Sequence, residues 1–272
     1  MPDLRGKVAL ITGASSGIGE STALHFASLG CWLSLTARNK ANLERVAEAC
    51  SQQGIPRDKV LVVPGDVSVE KDVANVVEKT VKHFGKLDIL VNNAGFPVQK
   101  YIQDASLEDF NQVWSTNFLG PLTMIRNAVP HLRQTKGNII NVSSVVSLIV
   151  VDSLALYATT KAALDNLTRY AALENAPYGV RVNAINPAVI KTSMLKDPAM
   201  SMDEHIKLLQ TTAQGHALGR IGEPEEVARC IAFLASDDAS FVTGITMPVD
   251  GGMLLLSSLH PPPPEPETPK TA

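Results

Sequence analysis

Residues 7–19 read KVALITGASSGIG, an aliphatic, β-branched run that enters a loop with glycine at positions 13, 17 and 19. Lys7–Thr12 has the length and composition of a buried strand, and Glu20–Leu29 carries apolar residues at helical spacing. The order is therefore strand, tight loop, helix. Lacking a Cβ, the glycines let the backbone turn sharply and approach a ligand, and they deliver it to a helix N-terminus, where free N–H groups and the helix dipole favour a pyrophosphate. Cys31–Thr36 (CWLSLT) follows as a second strand and completes a βαβ unit, the context in which a glycine-rich loop reads as a nucleotide site. Gly13, Ser15, Ser16, Gly17, Ile18 and Gly19 are the candidate contacts in that loop.

Outward from this unit the chain keeps alternating. Strands are expected at Val60–Pro64, Leu87–Val91, Gly137–Ser143, Val180–Ile185 and Thr243–Val249, and helices at Asn39–Gln53, Val69–Phe84, Ser106–Leu132 and Tyr157–Ala176. Strands alternating with helices make one doubly wound α/β domain, residues 1–258, with helices on both faces of a parallel sheet. Ser106 with Asp109 three residues later marks the start of the long helix as a partial capping box. From Leu259 the composition changes to HPPPPEPETPKTA. Such a tail cannot bury a core and is expected to be polyproline-like or disordered, either a passive extension or a proline-rich ligand for a partner domain.

With 45% hydrophobic residues in 272, the chain has ample material for a core. Its net charge of -3, with no run of lysine or arginine, argues against a general nucleic-acid binder. Cys31, Cys50 and Cys230 have no metal-ligand spacing and fit reduced thiols, so no metal is expected. Met1–Gly6 lack a signal-peptide pattern, and no apolar run approaches the ~20 residues that span a bilayer, which makes the expected location cytoplasmic, away from membranes.

Six places carry chemical information. At the end of the second strand an acid would favour the free ribose 2′-OH of NAD, whereas Ala37-Arg38 leaves a guanidinium for the 2′-phosphate of NADP, or a merely solvated charge. After the third strand comes Gly65-Asp66-Val67, where Asp66 can accept from a purine amino group or cap the next helix. The fourth strand ends in Asn92-Asn93-Ala94-Gly95 at the sheet edge where ligands bind in this architecture. Tyr157 and Lys161 stand one turn apart on one face of a helix; a lysine ammonium beside a phenol of ordinary pKa about 10 favours the phenolate and makes it a proton carrier. Asn117, inside the long helix, suggests a hydrogen-bonding task, since asparagine is a mediocre helix former. Met194, Met200 and Met202 lie in an amphipathic stretch, Thr192–Gly219, that reads as a lid over an apolar substrate or as core packing.

Thr12-Gly13-Ala14-Ser15-Ser16-Gly17-Ile18-Gly19, Asn92-Asn93-Ala94-Gly95, Asn117, Ser144, Tyr157 and Lys161 resemble, in order and spacing, the short-chain dehydrogenase/reductase family over nearly the whole chain. The resemblance implies a Rossmann-type sheet of seven parallel strands, a nicotinamide cofactor, and hydride transfer between that cofactor and a carbonyl or alcohol. It implies Tyr157 as general acid/base, Ser144 orienting the substrate oxygen, Lys161 lowering the tyrosine pKa and holding the nicotinamide ribose, and Asn117 anchoring a proton-relay water. Asn93, Ala94, Gly95, Asp66 and Val67 join the cofactor set, as do Pro187, Ile190 and Thr192 in the loop after the sixth strand. The glycine that the family carries after that proline is Ala188 here; if the position needs φ > 0, the alanine strains the loop. The ending Thr243-Gly244 to Asp250-Gly251-Gly252 is most similar to the 3-oxoacyl-carrier-protein-reductase-like branch, whose members commonly form tetramers.

The expected function is thus an NADP(H)-dependent oxidoreductase acting on a carbonyl or secondary alcohol, assembled as a homotetramer or homodimer. Two other readings are a catalytically silent nucleotide-binding regulator, which would show erosion of the Ser144, Tyr157, Lys161 set, and an NAD-dependent alcohol or steroid dehydrogenase.

Overall fold

Strands buried on both faces need continuous apolar runs rather than alternation, and the five residues of β1 (Val8–Thr12) are all buried. They also point alternately into two separate cores, Ala9 and Ile11 into one and Val8 and Leu10 into the other. The computed structural model describes residues 2–192, 195 and 201–256. In it β1, β2 (Trp32–Thr36), β3 (Val60–Val62), β4 (Ile89–Asn92), β5 (Asn138–Val142), β6 (Arg181–Pro187) and β7 (Thr246–Val249) form one sheet of seven strands in the order β3-β2-β1-β4-β5-β6-β7. Every neighbouring pair is parallel. The strand order reverses between β1 and β4, and a crevice at that switch point is where a doubly wound sheet binds ligands.

Helices cover both faces. On one side lie α1 (Gly17–Ser28), α2 (Lys40–Ser51) and α8 (Pro224–Ala235), whose Phe26, Leu43, Val46, Ile231 and Leu234 pack on Leu33, Leu35 and Ile140. On the other lie α3 (Glu70–Phe84), α5 (Gly120–Thr135) and α6 (Ala155–Asn175), with Val73, Val76, Met124, Leu132 and Ala171 against Leu10, Leu90 and Val182. Helix α8 is not among the elements expected from the pattern, although Pro224 at its first position and Glu225 and Glu226 in its first turn are start signals. Helix α7 (Met202–Gln214) starts on a capping box made by Ser201 and Glu204.

The long helix expected at Ser106–Leu132 is interrupted. Ser106 and Asp109 do form the capping box that opens α4 (Leu107–Trp114), but a π-helical turn at Ser115–Leu119 separates α4 from α5. A π turn inserts one extra residue and so rotates the side chains within it. Here it turns Asn117 fully inward.

Met194 and Met200 of the expected lid and the proline-rich tail from Leu259 lie outside the described residues, whereas Met202 is 73% exposed at the start of α7. No helix among the described residues is long and apolar enough to cross a membrane.

Candidate functional site

The loop between β1 and α1 is shaped by contacts that exclude side chains. Gly13 and Gly17 have φ of 64° and 57°, in the left-handed region that favours glycine. Gly19 is helical, but a Cβ there would lie 2.3 Å from the Gly13 carbonyl oxygen and 2.5 Å from Asn93 Nδ2. That crowding reflects a clamp. Asn93 Nδ2 donates to the Thr12 and Gly13 carbonyls at 2.9 and 3.2 Å, while the Asn93 and Ala94 backbone N–H groups donate to Thr12 Oγ1 at 2.9 and 3.0 Å. Asn93 and Ala94 thus fasten the end of β4 to the glycine loop. Thr12, a partner in both, heads the glycine motif in the sequence but has no role assigned to it there; a hydroxyl at the last strand position before the first loop glycine is the signal for one.

Ser16 stands at the N-cap of α1 and makes no side-chain cap, leaving the first-turn N–H groups to other acceptors. The Ala14 N–H donates to the Thr36 carbonyl at 3.2 Å, tying the same loop to the end of β2 and setting Arg38 nearby. Arg38 is exposed and makes no ion pair among the described residues. A second guanidinium, not anticipated from the sequence, belongs to Arg45 on α2. It forks onto both carboxylate oxygens of Glu20 at 2.7 and 2.8 Å and reaches the Ser15 carbonyl at 3.4 Å, so its charge is already matched. Asp66 turns back on its own loop, with Oδ1 accepting from the Ser68 N–H and hydroxyl at 2.9 and 2.7 Å. Helix α3 starts after Val69 without a side-chain cap, so Asp66 is not its cap. Val67 lies against Gly120 at the start of α5.

The loop after β6 closes over the glycine loop from the other side. A Cβ at Gly17 would lie 3.2 Å from Thr192 Cγ2, and Ile190 is buried and bridged to Gly222, where Lys191 N–H donates to the Gly222 carbonyl at 2.8 Å. The strain anticipated at Ala188 does not arise. Lys136 and Ser153 are the non-glycine residues with positive φ among those described, and the Ala188 N–H donates to Val249 at 3.1 Å in continuation of the β6–β7 ladder.

Ser144, Tyr157 and Lys161 meet at the carboxyl edge of β5 and β6. Ser144 is buried directly after β5, its hydroxyl 3.4 Å from the Pro187 carbonyl; the neighbouring Ser143 is spent on the Lys161 carbonyl at 3.2 Å. Tyr157 and Lys161 lie in the first two turns of α6, with the ammonium 5.6 Å from the phenol ring centroid. Lys161 is 3% exposed; its Nζ donates to the Val142 carbonyl at 2.8 Å and would be 3.4 Å from a Cβ on Gly95. Asn117 faces them from the π turn. Its Oδ1 accepts from the Phe96 N–H at 3.1 Å, and its Nδ2 donates to the Phe96 carbonyl at 2.9 Å and to Thr160 Oγ1 at 3.3 Å. The loop carrying Gly95 is thereby held against α6.

Burial governs the electrostatics. It pushes the Tyr157 phenol up to about 12, with the Ser144 hydroxyl beside it pulling the other way. It pushes the Lys161 ammonium down to about 8, opposed by the negative charge of Asp165. A protonated phenol and a serine hydroxyl converging beside a buried cation can donate hydrogen bonds to an oxygen that gains negative charge. The glycine loop runs into a helix end without a side-chain cap, whose free N–H groups can donate to an anion.

A family model described as Enoyl-(Acyl carrier protein) reductase matches residues 13–254. The chain is 36% identical to L-fucose dehydrogenase of Mus musculus over 91% of its own length and 88% of that protein. It is 37% identical to meso-2,3-butanediol dehydrogenase of Serratia marcescens over 90% and 94%. Among solved structures, a short-chain dehydrogenase/reductase of unknown function from Caenorhabditis elegans, crystallised with cofactor, superposes with a TM-score of 0.89 at 32% identity, over 94% of this chain and 98% of that one. A doubly wound sheet with this crevice and these relatives places the chain in the short-chain dehydrogenase/reductase family. It is an oxidoreductase of that family, whose members bind a nicotinamide dinucleotide.

Proposed function

We propose that this enzyme is an NADP(H)-dependent reductase/dehydrogenase that interconverts a carbonyl and a secondary alcohol, with Tyr157 as the general acid/base. The observation that carries this reading is the convergence of Ser144, Tyr157 and Lys161 on the sheet edge beside the glycine loop. The residues present fit the cofactor: Gly13 and Gly17 take the left-handed conformations that turn the loop, and the first-turn N–H groups of α1 have no side-chain cap. Gly13, Ser15, Ser16, Gly17, Ile18 and Gly19 would hold the pyrophosphate region and Arg38 the 2′-phosphate. Asp66 and Val67 would flank the adenine end. Gly95, Lys161, Pro187, Ile190 and Thr192 would flank the nicotinamide end, with Asn93 and Ala94 keeping the cradle closed. When bound, the nicotinamide supplies or accepts the hydride.

The side chains handle the proton and the charge. During reduction the carbonyl oxygen becomes alkoxide-like; Ser144 Oγ–H and Tyr157 Oη–H donate to it, and Tyr157 then gives up its proton. A phenol held near 12 is protonated at neutral pH and ready for that step. Alcohol oxidation needs the phenolate, so its rate is expected to rise with pH from 7 upward. Lys161 in its ammonium form stabilises the phenolate, and Asn117, by holding Phe96 and Thr160, keeps the wall of the site in register and can anchor a relay water. The relatives' names make sugars and vicinal diols the first substrates to assay, with apolar ketones second because of the methionine-rich stretch at 194–202. Assembly as a homotetramer or homodimer and a cytoplasmic location belong to the same reading.

Cofactor choice is the direct test. Charge-assisted hydrogen bonds from Arg38 to a 2′-phosphate are worth about 1.5–3 kcal/mol, roughly ten- to a hundred-fold in kcat/KM. Arg38→Ala is expected to lower kcat/KM for NADPH by that factor with little change for NADH. The pair Ala37→Asp and Arg38→Ala is expected to invert the preference, because the new carboxylate accepts from a free 2′-OH and repels phosphate. A wild-type enzyme that prefers NADH overturns the NADP assignment.

A further inference from the structure

We propose that Asp165 is a positioning residue of this site: it supplies the buried counter-charge to Lys161 and pins the turn that carries Ser144. The inference rests on the roles given above to Ser144, Tyr157 and Lys161. Asp165 lies one helical turn beyond Lys161 on α6, and both are 3% exposed. Lys161 is the one lysine or arginine among the described residues that is buried, and Asp165 shares its helix face.

The hydrogen bonds around Asp165 lead to Ser144. Its Oδ2 accepts from Ser147 Oγ at 2.6 Å and from Asn186 Nδ2 at 2.9 Å. Those same two groups lie 2.7 and 3.1 Å from the Ser144 carbonyl oxygen, so the carboxylate, β6 and the 3₁₀ turn Val145–Ser147 are joined around the backbone of Ser144. An uncharged acceptor would satisfy Ser147 and Asn186 at a lower desolvation cost, since a buried carboxylate is expensive. Oδ1 is hidden as well and has no hydrogen-bond partner in the protein. What a carboxylate alone adds is negative charge, and the buried cation one turn away on the same helix face is Lys161, beyond direct ion-pair distance.

That cation needs support. Its ammonium donates one hydrogen bond, to Val142, and burial drives it toward the neutral amine. The groups facing the pair are Tyr157 on the same helix, Gly95 and Phe96 after β4, Asn117 in the π turn, Ser143, Ser144 and Ser147 after β5, and Asn186 and Pro187 on β6. Of these Tyr157 alone titrates, and it is protonated through the neutral range. Asp165 therefore sets how far up the pH scale Lys161 stays charged.

The test is an NMR titration of protein labelled at lysine ¹³Cε, with the Lys161 signal assigned by its loss in Lys161→Arg. The wild-type midpoint is expected near 8, and Asp165→Asn is expected to lower it by about one pH unit or more. Ser147→Ala removes a tie to the turn but keeps the charge: the midpoint should stay in place while kcat falls about tenfold as Ser144 shifts. An unmoved midpoint in Asp165→Asn, or an equal shift in Ser147→Ala, overturns the counter-charge. If Asp165→Asn does not fold, Asp165→Glu decides instead: it retains the charge and should hold the wild-type midpoint, and a fall overturns the proposal. Tyr157→Phe tests the underlying catalytic roles separately; their failure would leave the lysine midpoint to stand or fall by itself.

Discussion

Replacing Tyr157 by phenylalanine is expected to lower kcat by about 10²–10⁴ in either direction, the range a positioned acid/base contributes. This corresponds to roughly 3–5 kcal/mol of lost transition-state stabilisation. The ring stays packed in α6, and the change removes one hydroxyl beside Ser144, so the fold and the cradle at Gly13–Gly19 are untouched. Kd for the cofactor, measured by fluorescence titration, should therefore stay within about twofold, because the lost proton acts in the chemical step and not in ground-state binding. The pH dependence separates this loss from a packing defect. Wild-type alcohol oxidation should accelerate with pH, as the fraction of phenolate of a group held near 12 grows. Tyr157→Phe should lose that rise. A variant that turns over at more than a tenth of the wild-type rate with the pH rise intact would remove Tyr157 from its role.

Gly19→Ala is expected to damage both the stability of the fold and the loop between β1 and α1. Its Cβ would sit 2.3 Å from the Gly13 carbonyl oxygen and 2.5 Å from Asn93 Nδ2, and neither is the free end of a flexible side chain. The first is backbone, and the second is held by two carbonyl acceptors. Relief requires α1 to move away from the end of β4, opening the clamp that shapes the cradle. Overpacking of this kind costs about 3 kcal/mol, at the upper end of the usual range. For a domain of this size that is a fall in Tm of about 6–12 °C, at about 2–4 °C per kcal/mol. Cofactor affinity should fall by at least tenfold, since the N–H groups of the first turn no longer meet the pyrophosphate. By contrast, Gly85→Ala at the end of α3 has open space around the new Cβ and faces only the cost of its φ of 77°. Calorimetry of the two variants with and without NADPH checks both statements; a Gly19→Ala protein as stable as Gly85→Ala and still stabilised by cofactor would refute the clamp.

Much of this protein is legible in its sequence because the deciding features are local. KVALIT followed by glycines 13, 17 and 19 can form little other than a buried strand, a tight loop and a helix start, since backbone sterics and burial act over a few residues. The spacing of Tyr157 and Lys161 settles that they share a helix face, and the Ser106–Asp109 pair marks the helix start where it is found. Only the tertiary structure decided the rest. Nothing near Asn117 in sequence announces a π turn; that extra residue is accommodated because the Phe96 backbone, 21 residues away, binds the inverted amide. Asn93 is indistinguishable in sequence from a ligand-facing residue, and it is the Thr12 hydroxyl across the β1–β4 switch that turns it into a clamp. The strain feared at Ala188 depends on a backbone angle that its ladder with β7 sets, not its identity. The charge states of Tyr157 and Lys161 likewise follow from burial: adjacency alone suggests a lowered phenol, whereas removal from water by β5, β6 and the π turn raises the phenol and lowers the amine. Local sterics and periodicity are written in neighbouring residues, but desolvation and long-range hydrogen bonding come into existence only when distant segments pack.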